Sequence, residues 1–175
     1  MTDNISKQGK NRILIRFIVF NGIVAALYVV LTYFLAPISY GPIQARVSEV
    51  MTVFPIFSWG MIPGVTLGCF ISNLLNPDNL GPVDIIGGTL ATLFAGILSR
   101  VIGKKNMWLG VIPPIVANGI IVGGYLPFLL FDEVTWQSVL FTMFTVAAGE
   151  AAVLVVLGIP LVAVIGKTGL KSKLP

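Results

Sequence analysis

The stretch APISYGPIQARVSEVMTVFPIF, residues 36–57, brings three chemically able side chains together: Gln44, Arg46 and Glu49. A guanidinium and a carboxylate three residues apart lie within pairing distance on a helix. Two readings stay open: an ion pair that stitches segments together, or a donor fork and an acceptor pair offered to a polar ligand. Glu150 and Asn118 each fall in the middle of a long apolar run, and Asn73 and Asp84 flank the stretch NLLNPDNLGPVD. An ionisable group at membrane depth costs about 2.5–3.5 kcal/mol on insertion scales, so it faces a protein interior or a cavity. Glu150 is therefore either a hydrogen-bonded acid within a bundle or a ligand contact. Asn118 is either interhelical glue or a ligand contact. Asp84, just after Pro82, suits a helix N-cap, and Asn73 suits a helix C-terminus before Asn76-Pro77. Both can also point toward the same site.

Other chemistry is missing. The chain has no histidine and one cysteine, Cys69, which excludes an intramolecular disulfide and any site built on histidine or several cysteines. In an apolar segment, Cys69 reads as a small buried hydrophobe. The nearest approach to a phosphate-binding loop, GILSRVIGKK, has the wrong spacing and follows no strand. No nucleophile elbow and no serine–histidine pair exist. The expectation is a binding protein or carrier, not an enzyme, with no cofactor, no metal and no energy source of its own.

These residues must be positioned by membrane helices. Of 175 residues, 56% are hydrophobic and only 10% charged, and mean hydropathy is +0.96. A soluble domain carries about a quarter charged residues. Long apolar runs cover Phe17 to Ala36, Val83 to Ile102, Met107 to Phe131 and Val139 to Ile165, each able to cross a core of about 30 Å. The shorter runs Val47 to Phe57 and Met61 to Leu75, split by Ser58-Trp59-Gly60, predict a helical hairpin. The expected architecture is an all-α integral membrane protein of six transmembrane helices.

Charge sets its orientation. Lys7, Lys10, Arg12 and Arg16 precede the first run, Arg100, Lys104 and Lys105 precede the fifth helix, and Lys167, Lys171 and Lys173 follow the last. With six spans all three groups share one side, which the positive-inside rule makes cytoplasmic, so both termini are expected inside. Asp78, Asp84, Asp132 and Glu133 fall opposite, and Arg46 is the exception. The basic charge thus reflects orientation in a lipid bilayer, and no nucleic-acid partner is expected. Residues 1–175 read as one membrane domain, with cytoplasmic tails over 1–13 and 167–175. Small residues recur every fourth position at Gly22/Ala26, Gly64/Gly68/Ser72 and Gly87/Ala91/Ala95/Ser99, stripes that let helix backbones approach closely.

The segments APISYGPIQARVSEVMTVFPIF, IPGVTLGCFISNLLNP and DIIGGTLATLFAGILSR resemble the queuosine-precursor transporter (QueT) family, whose members are substrate-binding S components of energy-coupling factor (ECF) transporters. The likeness is dense from Ala25 to Arg100, and its most specific part is the run PISYGPIQARVSE. The resemblance implies an S-component-like bundle of six helices in the cell membrane. It implies a ligand site near the outer surface, under a loop between the first two helices. It also implies a transmembrane coupling protein facing Gly22 and Ala26, two cytoplasmic ATPases, and a deazaguanine precursor of queuosine as cargo. The residues suit that cargo. A guanine-like edge offers adjacent N–H donors to one carboxylate, its carbonyl needs a donor such as Arg46, Gln44 or an asparagine amide, and its ring could stack on Tyr40. Alternatives are an S component for another small vitamin, an autonomous carrier with Glu49 or Glu150 as proton site, and a membrane protein whose polar residues only pack.

Overall fold

Where lipid excludes water, each backbone N–H and C=O must be paired within its own segment, so apolar runs of this length become helices. The computed structural model describes residues 2–78 and 80–175, with side chains from residue 9 onward, and all its regular structure is helical among the described residues. The side chain of Lys7 lies outside them. The helices are α1 (Thr2–Phe34), α2 (Val47–Phe57), α3 (Trp59–Leu74), α4 (Pro82–Gly103), α5 (Leu109–Leu130) and α6 (Trp136–Lys167). The apolar part of α1, Gly9–Phe34, and the whole of α4, α5 and α6 are long and apolar enough to cross a membrane. The protein is an all-α, multi-pass membrane protein.

Both ends of the described chain carry helical turns. Helix α1 starts at Thr2 because no proline interrupts the sequence before Phe34. After α6 the chain turns through Gly169–Lys173, and Leu174 packs against the core, 9% exposed. The Ser58 hydroxyl donates to the Pro175 carbonyl.

Helix α2 is the inner element. It begins as a 3₁₀ segment, Val47–Val53, and ends as one α-turn, Phe54–Phe57. Its rise of about 20 Å falls short of the apolar core of a bilayer. It is buried along most of its length, with Ser48, Glu49, Val50, Thr52, Val53, Pro55, Ile56 and Phe57 all inside. Val53, Ile56 and Phe57 share one cluster with Val24 and Tyr28 of α1, Val65 and Cys69 of α3, Val111 of α5 and Leu154 and Val162 of α6.

The basic groups gather at one end. Arg100 donates to the Ile56 carbonyl at 2.8 Å, Arg16 reaches the Ser172 carbonyl at 3.4 Å, and Lys104 lies 5.7 Å from the Trp59 ring centre. At that same end Asn21 ties α1 to the start of α3, donating to the Gly60 carbonyl at 2.7 Å and accepting from the Gly64 amide at 2.5 Å.

Two of the three small-residue stripes are internal seams. A Cβ on Gly64 would lie 2.8 Å from the Asn21 Cα, and one on Gly68 would lie 2.7 Å from the Tyr28 Cβ, so these glycines set the α1–α3 approach. Ala91, Ala95 and Ser99 of α4 are fully buried. The third stripe differs: Gly22 and Ala26 are exposed on the outer face of α1, and a Cβ on Gly22 would meet nothing within 4 Å.

Gly68→Ala should therefore cost about 1–3 kcal/mol through overpacking, lowering the thermal midpoint in detergent, whereas Gly22→Ala should leave it unchanged. Equal midpoints for the two variants would contradict the packing described.

Candidate functional site

The loop between α1 and α2 closes over the outer end of the bundle. It makes one helical turn, Ala36–Ser39, and then reverses through Gly41 at φ +99°, a backbone region that costs glycine little. The Ala45 amide donates to the Ile38 carbonyl at 2.7 Å, closing the loop on itself. Gln44 and Arg46 are thereby turned inward, 7% and 8% exposed.

Arg46 spends its donors on neutral acceptors. Nε donates to the Ser39 carbonyl at 3.3 Å, Nη1 to Asn73 Oδ1 at 3.2 Å and Nη2 to Gln44 Oε1 at 3.4 Å. Its guanidinium carbon lies 5.4 Å from the Tyr40 ring centre. None of these bonds goes to Glu49, so the ion-pair reading of the two residues gives way. Arg46 is the extended residue just before the helix, at φ −83° and ψ 95°, so its guanidinium stays with the loop and α3 while the carboxyl turns toward α1. Glu49 Oε1 accepts from the Tyr28 hydroxyl, and Oε2 is buried without a partner. Thr32 donates to Ser48 at 2.6 Å just above, which fixes the same edge of α2 against α1.

Glu150 and Asn118 arrive from the other side, on α6 and α5. Both helices carry a π-segment beside these residues, Asn118–Val122 in α5 and Leu154–Gly158 in α6. Such segments recur at functional positions because they rotate the following side chains. In α6 the irregularity precedes Pro160, which supplies no N–H to the preceding turn. Glu150 is buried, and its Oε1 has no partner. The Asn118 side-chain amide lies close to both Glu49 and Glu150.

Gln44, Arg46, Glu49, Asn118 and Glu150 thus line one cavity, with Val122 and Val146 as its apolar wall. Its free volume is about 10 Å³, room for roughly one water. Asn73 stands behind Arg46, its Nδ2 donating to the Asp84 carbonyl at 3.2 Å. Asp84 does not cap α4. Gly81 takes the N-cap position at φ +80°, which places Asp84 inside the first turn, where Oδ1 accepts from the Tyr125 hydroxyl at 2.8 Å. Tyr40 lies outside the lining: its ring carries Arg46 and its hydroxyl donates to the Ser72 carbonyl at 2.8 Å. Burial pushes that hydroxyl up to about 12, so it remains a donor across the working range.

Two residues at the site had not been singled out from sequence. Tyr28 could have been noticed as a phenol in an apolar run, which usually seeks a partner when buried. Gly149 carries no chemical signal, yet a Cβ there would run into the Gln44 carbonyl and lie 3.3 Å from the Ala45 Cα. The loop therefore rests on α6 backbone to backbone, one residue from Glu150.

The family model described as QueT transporter matches residues 18–167. The chain belongs to the QueT transporter family. Among curated proteins it is similar to the queuosine precursor transporter QueT of Lactococcus lactis subsp. cremoris (strain MG1363), 52% identical over 73 residues, a stretch that covers 41% of each chain. No solved structure matches it.

Gly149→Ala must lift residues 44–45 off α6. A cysteine placed at Gln44 in a Cys69→Ala background is buried in the parent and should react with a maleimide roughly tenfold faster once Gly149→Ala is added. An unchanged rate would refute the seating of the loop on Gly149.

Proposed function

We propose that this QueT family protein is the substrate-binding subunit, the S component, of an ECF-type importer in the plasma membrane. In this reading all six helices form the membrane domain, both termini lie in the cytoplasm, and a deazaguanine precursor of queuosine is captured from outside. The observation that carries it is the pair of buried carboxyl groups, Glu49 and Glu150, each with an unpartnered oxygen in one cavity with Arg46, Gln44 and Asn118. A guanine-like edge supplies the adjacent N–H donors that such acceptors lack. The printed name of the Lactococcus lactis relative points to the same cargo.

Between the two acids, Glu150 suits the base edge better. Glu49 already accepts from the Tyr28 hydroxyl on one oxygen, whereas Glu150 Oε1 is buried without a partner. Glu150 can then offer the base edge a bidentate contact, and the amide of Asn118 or Gln44 can meet the neighbouring carbonyl of the base. Val122 and Val146 provide the flat apolar wall. Small-molecule pockets run to roughly 300–1,000 Å³, so the cavity must widen to admit a base, and the loop resting on Gly149 is the part proposed to move. Asn73 and Asp84 act by bracing Arg46, and Tyr40 acts by backing its guanidinium, in place of stacking on the ligand.

Calorimetric titration of the purified protein tests this. A deazaguanine precursor should bind saturably while riboflavin and thiamine do not, and Glu150→Gln should weaken binding by about 2 kcal/mol, roughly thirtyfold in Kd. Unchanged affinity in Glu150→Gln would remove the edge-reading role.

The outward Gly22/Ala26 stripe is the place for a coupling protein, since it is the small-residue face that the fold leaves uncovered. Leucine at both positions should leave ligand titration unchanged and abolish precursor uptake by cells. The facing carboxyls also suit a proton-coupled carrier, and uptake that survives deletion of the partner ATPases but stops with the proton gradient would select that second reading.

A further inference from the structure

We infer that Tyr125 is a positioning residue for Arg46, acting through Asp84 and Asn73 from outside the ligand cavity. This rests on the reading above in which Arg46 meets the cargo, and it extends the binding machinery to a phenol outside the cavity lining.

Four side chains from four elements are joined in series. The Tyr125 hydroxyl of α5 donates to Asp84 Oδ1 of α4 at 2.8 Å. Asn73 of α3 donates through Nδ2 to the Asp84 main-chain carbonyl at 3.2 Å, and Arg46 Nη1, from the loop, donates to Asn73 Oδ1 at 3.2 Å. Two glycines let three of these residues meet on the first turns of α4. A Cβ on Gly87 would lie 2.9 Å from the Tyr125 ring, and one on Gly88 would lie 2.5 Å from Asn73 Nδ2 and 3.4 Å from the Tyr125 hydroxyl. Asp84 and Asn73 are both buried, and Tyr125 lies outside the cavity lining.

Donor and acceptor types fix the sense of this series. An amide that aims its nitrogen at a carbonyl turns its oxygen the other way, so the Asp84 carbonyl is what makes Asn73 offer Arg46 an acceptor. The Asp84 carboxyl is a rival for the same nitrogen. Its Oδ1 has the Tyr125 hydroxyl and its Oδ2 is buried without a partner, so the phenol is the one donor this carboxyl holds among the described residues. A buried carboxyl stripped of that donor bears the cost of an unmade hydrogen bond in either protonation state. Asn73 Nδ2, already bonded to the same residue, is the donor it then captures. Drawing the amide onto the carboxyl swings Oδ1 off Arg46, whose remaining bonds, to Ser39 and Gln44, are long at 3.3 and 3.4 Å. Tyr125 thus keeps the guanidinium in place by keeping the acid occupied.

Calorimetric titration of the purified full chain with the same deazaguanine precursor, on single and double variants, tests this. Tyr125→Phe removes only the hydroxyl and should weaken binding about fivefold or more. Asp84→Ala removes the rival carboxyl but keeps the main-chain carbonyl, so it should weaken binding less, by at most about threefold. Added to Asp84→Ala or to Asn73→Ala, Tyr125→Phe should change affinity by less than about twofold. A hydroxyl that merely supports the fold would cost affinity in every background, and that additive result overturns the inference. An unchanged Kd in Tyr125→Phe also overturns it and leaves the deazaguanine reading intact. Asp84→Ala needs no second variant: a loss of about tenfold or more there overturns the inference even where Tyr125→Phe does not fold. A wild type that binds no precursor removes the deazaguanine reading and this inference together.

Discussion

A carboxyl group taken out of water needs a donor, and in this bundle that requirement organises the outer half of the molecule. Glu49 sits on a helix too short to span the apolar core of a bilayer and is itself only 2% exposed. The phenol of Tyr28 supplies one donor, which fixes α1 against α2 at the depth of the site. On the opposite side of the same turn, Arg46 is satisfied by three neutral acceptors drawn from the loop and from α3. Each charge is therefore anchored by its own neutral partners, and the two are kept apart. A direct pair would have consumed the functional ends of both groups. The arrangement observed leaves acceptor capacity facing the cavity.

The glycines make that arrangement possible by setting distances between backbones. Gly64 and Gly68 bring α3 against α1, and Gly119 and Gly123 do the same for α5 against α6, where a Cβ on Gly123 would lie 2.5 Å from the Met143 Cα. Gly149 has a different part, since what rests on it is a loop. Helix seams of this kind are buried and extensive, whereas the loop touches α6 over only a few residues, so the same structural device gives a rigid frame in one place and a releasable contact in another. The outer surface of α1, with Gly22 and Ala26 facing away from the bundle, is the one small-residue stripe among the described residues that the fold does not use internally.

The site was largely legible because charge is so rare in this chain. Gln44, Arg46, Glu49, Asn118 and Glu150 stood out against apolar surroundings, and all five line one cavity. What was not legible depended on local geometry. The ion-pair reading of Arg46 and Glu49, one of the two left open, assumed both on one helix, but Arg46 is the extended N-cap residue just before it. Asp84 looked like a cap because it follows Pro82, but a proline at the first helical position makes the residue before it the cap, and that residue is Gly81. Tyr40 looked available for stacking because sequence shows an aromatic ring in a loop without showing that a guanidinium already covers it. Gly149 could not have been found at all, since its role is to lack a side chain where another backbone passes. The four long apolar helices and the two shorter ones were readable from apolar runs alone, while the extension of α1 to Thr2 and the return of Leu174 into the core were not, because polar termini carry no period to read.

The small free volume of the cavity then has a physical explanation within the same framework. The unpartnered oxygens of Glu49 and Glu150 are least costly where the amide of Asn118 lies close to both and little else enters. The loop can settle onto Gly149, and Arg46 can turn to Asn73 and Tyr40. A ligand that brings its own donors replaces these makeshift arrangements with direct hydrogen bonds, so the site gains most from a molecule that satisfies both acids at once. Specificity then follows from the cost of leaving either acid unsatisfied more than from shape, because a flat ring against Val122 and Val146 discriminates weakly among bases of similar size. The carboxyls are therefore expensive to the fold and informative to the site for the same reason: each has an acceptor that this protein alone does not fill.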